Sequence, residues 1–311
     1  MRTRLSIANE PGANDPGCPV GDLWRPNRIA ALARQALAAE AELTPKPGLV
    51  DRRGPGAHCD LSLELMLRSA EAIEPYFAAM GMACEGRRLD RSLRRELAII
   101  GRYAERAMYR VTQGSNTHKG AIWILGLLVA AAARERGQNA QEIAAAGGAI
   151  ARLPDRMQPA LLTHGDIVRA RYGAAGARGE AINDFPHVIE VGLPALQAKR
   201  AAGSSEQLCR LHALLSIMSH LNDTCVLYRG GGEALHAVKS GARAVLRAGG
   251  PGSTRGREEI QKLERDLITR NVSPGGSADL LAATIFLDAL ERRQGEISKD
   301  HSEWEESDGA A

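Results

Sequence analysis

Six stretches of the chain concentrate residue types that handle charge and protons. In TPKPGLVD (44–51) two prolines stiffen the backbone around Lys46, and Gly48 permits a tight turn. A fixed ammonium beside exposed backbone amides suits an anion. In GAHCD (56–60), His58 stands two positions before Asp60, close enough to share one ligand or metal. NTHKG (116–120) opens a long apolar run: Asn116 and Thr117 are placed to cap a helix, His118 follows, and Lys119 falls in its first turn. A lysine there opposes the helix dipole unless an anion is bound, so this run has the makings of a phosphate site. The pattern GxxxxGK[ST] does not occur.

GARGE (176–180) supplies Arg178 and Glu180, and DTCVLYRGG (223–231) supplies Asp223 and Arg229. The arginines can fork onto phosphate oxygens, and the carboxylates can hold Mg2+. Asp223 and Arg229 do not share a helix face at their spacing, which predicts a helix break near Tyr228. SPGGSAD (273–279) reads as Ser277 capping the last helix, with Gly275 and Gly276 allowing a close backbone approach. Taken singly, each acid–arginine pair also fits an ordinary salt bridge, and Glu40, Asp51, Glu105 and Asp184 read as solvated surface acids. His187, His212, His220, His236 and His301 show no ligand spacing.

The elements that must position these groups are helices. Fifty-one Ala against eleven aromatic residues in 311 favours helix over sheet. Asn27 is placed to cap a first helix, and Ser62 a second, with Glu64 and Glu71 outward and Pro75 ending or kinking it. Further helices are predicted over 91–111, 118–135, 139–151, 187–200, 204–221, 231–247, 256–269 and 277–292, with no strand. The expected architecture is all-α: a flexible arm over 1–26, one multi-helix bundle over 27–293 with Gly-rich inter-helix loops forming the site, and a polar tail over 294–311.

A net charge of +3 is too small for a dedicated nucleic-acid binder. The longest apolar run, Ala121–Ala133, is too short to span a bilayer, and the N-terminus lacks a signal-peptide stretch. Five cysteines without paired spacing fit a reducing cytoplasm. The expectation is a cytoplasmic protein with no nucleic-acid or membrane partner.

Taken together, EAELTPKPGLVD, GAHCD, AERAM, GSNTHKGAIWILGLL, THG, GARGEA, DTCVLYRGG and SPGGSADLLAAT, in that order over about 28–290, resemble the triphosphoribosyl-dephospho-CoA synthases. The match looks closer to the malonate decarboxylase branch than to the citrate lyase branch. It departs from the family pattern at Ser62, at Cys225 and in the INDFP segment. The resemblance implies transfer of the triphosphoribosyl part of ATP to the ribose 2′-hydroxyl of 3′-dephospho-CoA, with release of adenine. The product would serve a downstream transferase or acyl carrier protein.

That chemistry needs a triphosphate clamp, expected from Lys46, Asn116, Thr117, His118, Lys119, Arg178, Arg229, Gly275 and Gly276. It also implies Mg2+, with Asp60, Glu105, Glu180 and Asp223 as its candidate ligands. A carboxylate must take the acceptor proton. Asp51 is the first choice and Glu40 the second, because they bracket the rigid PKPG turn. A helical Mg2+-dependent nucleotide hydrolase and a non-catalytic helical binding module are the alternatives.

Overall fold

A helix that is apolar all round must be buried all round, and AIWILGLLVAAAA places such a helix at the centre of this molecule. The computed structural model describes residues 23–134, 138–155 and 163–308, with side chains described to residue 296. Among these residues there are twelve α-helices and one π-helical segment, and the only β-type pairing is an isolated bridge between Asp51 and Gly54.

In chain order the helices are α1 (Pro26–Glu42), α2 (Leu63–Cys84), α3 (Arg91–Val111), α4 (Lys119–Arg134), α5 (Ala140–Arg152), α6 (His164–Tyr172) and α7 (Gly176–Ile182). The π segment (His187–Gly192) leads into α8 (Leu193–Ala201), α9 (Glu206–His220), α10 (Thr224–Arg247), α11 (Thr254–Thr269) and α12 (Gly275–Asp308).

α4 is the axis. Every residue from Ala121 to Ala133 except Trp123 is buried. Around it pack α1, α2, α3, α5, α7 and α12. The buried first half of α12, Leu280–Leu290, ties this layer to α9 and α10, and α11 closes the far side against α10. Most of the core is one continuous apolar cluster running through both halves, and Val168, Ala174 and Leu227 form a small second one.

Several boundaries differ from the sequence expectation, each for a physical reason. α1 starts at Pro26, whose fixed φ suits a first turn, and Asn27 does not cap it. Leu23 and Trp24 are already in the core, so the expected arm ends sooner; residues 1–22 lie outside the described residues. α2 runs through Pro75 to Cys84: the ring sits on the exposed face, while Ile73, Phe77 and Met80 are buried on the other. Packing of that inner face outweighs one lost hydrogen bond on the wet side. α6 and α7 are short and weakly patterned, and the sequence reading missed both. α10 begins at Thr224, and its kink lies at Gly231, where φ is 64°, rather than at Tyr228. α12 starts at Gly275 instead of after Ser277, and its backbone stays helical through most of the expected tail.

Candidate active site

The start of α4, the start of α10 and the start of α12 meet at one end of the bundle. The joint is a carboxylate. Asp223 caps α10 by accepting from the Cys225 and Val226 amides (2.9 and 3.4 Å). It also accepts from the Gly276 and Ser277 amides (3.3 and 2.8 Å) and the Ser277 hydroxyl (2.9 Å) of α12. A Cβ on Gly276 would lie 3.0 Å from Asp223 Oδ1, so any larger residue would push this double cap outward by a few tenths of an ångström. Ser277 therefore donates to Asp223 instead of capping α12 itself. Burial pushes the Asp223 carboxyl above its ordinary value, against the pull of those donors.

One turn into α12, Asp279 lies across the start of α4. A Cβ on Gly120 would sit 2.0 Å from Asp279 Oδ2, and the Ala121 amide donates to this carboxyl. Burial, then the neighbouring charges of Glu40 and Asp223, raise Asp279 well above the ordinary carboxylate range. It faces other acids, and its side chain is part-buried. The sequence reading passed over it inside SPGGSAD; an acid one turn after a Gly-Gly helix start was the available signal.

The loop after α1 supplies the counter-charge. Lys46 is 1% exposed, and its ammonium donates to the Glu40 carboxylate (2.5 Å) and the Glu40 carbonyl (2.6 Å). Asp51 is 3% exposed and accepts from the amides of Lys46 (2.9 Å) and Arg53 (2.7 Å). It also receives the Arg53 guanidinium (2.6 Å), which reaches on to Glu264 of α11 (2.7 Å). Glu40 and Asp51 are therefore buried, not solvated surface acids, and Asp51 is committed to holding its own loop.

At the start of α4, Asn116 caps as expected, accepting from the Lys119 amide (3.1 Å). Thr117 bonds Ser69 (2.6 Å), and Ser69 in turn meets His118 Nδ1 (3.0 Å). His118 is buried, and burial together with the Lys46 charge pushes its pKa down to about 3. The imidazole is neutral at any physiological pH and carries no positive charge for phosphate. Lys119 is half-exposed and lies 3.6 Å from Glu105 of α3.

Glu180 on α7 accepts from His187 at 2.6 Å, which raises the His187 pKa; the His220 carbonyl adds to this. His187, set aside from sequence, is thus the partner of one of the predicted acids. Exposed Arg229 donates to the Ala57 carbonyl (3.0 Å) and contacts His58 Nδ1 (3.1 Å). With Cys59, Asp60 and Arg270 these residues line a cavity of about 260 Å³. Burial and Arg229 push His58 down to about 4. Asp60 is 3.9 Å from His58 and largely exposed. Arg178 is exposed on α7.

The structure thus gathers Glu40, Lys46, Asp223, Gly275 and Gly276 around Asp279, with His118, Lys119 and Gly120 at the adjoining helix start. It does not gather the four expected metal ligands. Asp60, Glu105, Glu180 and Asp223 each go to a different partner. Among the described residues, no group of three or more His, Cys, Asp or Glu is arranged to hold a metal ion.

Comparison with known proteins places this arrangement. No solved structure gives a significant match. Curated relatives do. One from Stutzerimonas stutzeri (strain A1501) is 55% identical over 265 residues, covering 85% of this chain and 91% of the relative. Others come from Azotobacter vinelandii (54% over 267 residues; 85% and 91%) and Pseudomonas aeruginosa PAO1 (52% over 280 residues; 89% and 94%). All three carry the name "Probable 2-(5''-triphosphoribosyl)-3'-dephosphocoenzyme-A synthase". The family model described as CitG, ATP:dephospho-CoA triphosphoribosyl transferase, matches residues 26–298, which takes in every helix start and carboxyl described above. The chain belongs to the CitG family of ATP:dephospho-CoA triphosphoribosyl transferases.

Proposed function

We propose that this enzyme transfers the 5-triphosphoribosyl group of ATP to the ribose 2′-hydroxyl of 3′-dephospho-CoA and releases adenine. The observation that carries the reading is the meeting of three helix starts around carboxyl groups of unlike character. Helix starts favour anions, and the carboxyls serve proton transfer and charge stabilisation.

The reaction breaks the C1′–N bond of ATP and forms a C1′–O bond to the acceptor. The acceptor hydroxyl loses a proton, and the departing adenine gains one. Asp279, its carboxyl raised above the ordinary range by burial and neighbouring acids, is the acid for the leaving purine. Glu40, in the same cluster, supplies negative charge as C1′ passes through an oxocarbenium-like state. Asp51 fixes the turn that carries Lys46, and Lys46 fixes Glu40. Lys119, Arg178 and Arg229, the exposed or half-exposed cations, hold phosphate oxygens. Mg2+ is expected to accompany the triphosphate, whose several oxygens are its natural ligands; full turnover after exhaustive chelation would exclude it.

The motif match supports the malonate decarboxylase branch, with the product passing to a downstream transferase or acyl carrier protein. A cytoplasmic location follows from the substrates. No helix among the described residues is long and apolar enough to cross a membrane.

The test is incubation with ATP, Mg2+ and 3′-dephospho-CoA, followed by mass analysis. Adenine should appear only when the acceptor is present, with an adduct of dephospho-CoA and triphosphoribose. ADP or AMP in place of adenine would instead make the chain a nucleotide hydrolase.

A further inference from the structure

Arg94 is an anomaly in the core. It lies in the first turn of α3, is 4% exposed, and its Nε finds no hydrogen-bond partner among the described residues. Its guanidinium carbon stands 4.9 Å over the Trp123 ring of α4, and the Trp123 indole N–H is also unsatisfied. A guanidinium keeps its charge and carries five N–H donors, so burying one without an acceptor is costly.

Two more guanidinium groups, of Arg102 and Arg178, are near enough for their charge to act on Arg94. The nearby acid is Asp155, and its contact at 3.4 Å is with Arg102. Arg178 makes no hydrogen bond or ion pair among the described residues and is exposed. Asp155 is the carboxylate whose charge acts on Arg94 together with those two cations. Packing does not explain this, because a Met or Leu would fill the space beside Trp123 with no charge to desolvate.

We infer that Arg94, Arg102 and Arg178, backed by Trp123, form a binding site for a phosphate-ester anion. The inference rests on the transferase reading for the source of that anion. The same pair of helices, α3 and α4, carries Glu105 and Lys119 at the reaction end, and Arg178 precedes Glu180 by two residues. A phosphate chain leading away from the reacting ribose meets this cluster. Its source is either the triphosphate of ATP or the diphosphate of 3′-dephospho-CoA. Forked guanidinium–phosphate contacts would supply the acceptors that Arg94 lacks.

The test uses the full chain and three variants, Arg94→Met, Arg102→Gln and Arg178→Ala. Titration calorimetry with inorganic tripolyphosphate and pyrophosphate reads the site without turnover. Binding should weaken about tenfold or more in Arg94→Met, and severalfold in the other two. Kinetics with ATP and with dephospho-CoA then identify the source as the substrate whose KM rises. Unliganded Arg94→Met should melt at or above the temperature of the parent, since an uncompensated charge is gone, and should lose the upward shift given by tripolyphosphate. A lower melting temperature with unchanged polyphosphate affinity would assign Arg94 to packing and overturn the inference. If Arg94→Met fails to fold, unchanged affinity in both Arg102→Gln and Arg178→Ala overturns it equally. A parent enzyme that binds polyphosphate but releases no adenine would reject the transferase reading and leave the site standing.

Discussion

Asp51 and Asp279 are both acids at the same end of the bundle, and they have opposite surroundings. Asp51 is surrounded by donors: two loop amides and a guanidinium that is itself anchored on α11. Asp279 faces other acids, with one amide donor from α4, and is driven toward its neutral form. The difference separates a carboxylate that holds structure from a carboxyl that can give up a proton. The balance of donors and like charges around each group is what distinguishes the two.

The largest effect tests the structural half of this contrast. Replacing Lys46 with Met leaves Glu40 buried without its cation, and should cost about 3–5 kcal/mol in chemical denaturation. A loss below about 1 kcal/mol would mean that the pair does not anchor the loop.

Next comes the chemical half. Asp279→Asn should lower turnover by about a hundredfold or more while the protein stays folded. The folded pKa of Asp279 is raised, so its contribution to stability is full below the unfolded value near 3.8 and is lost as pH rises through the folded value. The Asn variant should lack that loss, and so equal or exceed the parent in stability at pH 8. Asp51→Asn is the counter-variant: it should weaken folding by about 1–3 kcal/mol as loop donors lose their acceptor. If Asp51→Asn lost turnover without losing stability, the two roles would have to be exchanged.

Asp223→Ala sharpens the picture of the helix joint. Losing caps on α10 and α12 together should cost about 2 kcal/mol, measured by thermal and urea unfolding. A cost confined to one cap would mean that the start of α12 is held by something else.

The smallest effect concerns Glu180 and His187. Their bond raises the His187 pKa, so the stabilisation is complete below about 6.5 and fades as pH rises through the raised value. Glu180→Gln should bring the His187 titration down, as read by NMR, and flatten the stability profile in that window. An unmoved His187 titration would show that the carboxylate is not its main partner.

The helical class and the central helix were legible in the chain because composition and periodicity act locally. An unbroken apolar stretch such as Ala121–Ala133 has nowhere to go but the core. The Gly-rich connections, the caps at Ser62 and Asn116, and the order of the family-like motifs were legible for the same reason. Which acid pairs with which cation was not. Lys46 and Glu40 are six residues apart and meet only because the loop folds back on α1. Asp223 and Gly276, Asp279 and Gly120, and Arg94 and Trp123 come together across the bundle. A charged side chain carries no periodic signal of its own. Its role is set by desolvation and by neighbours from other helices, and only the tertiary structure supplies those.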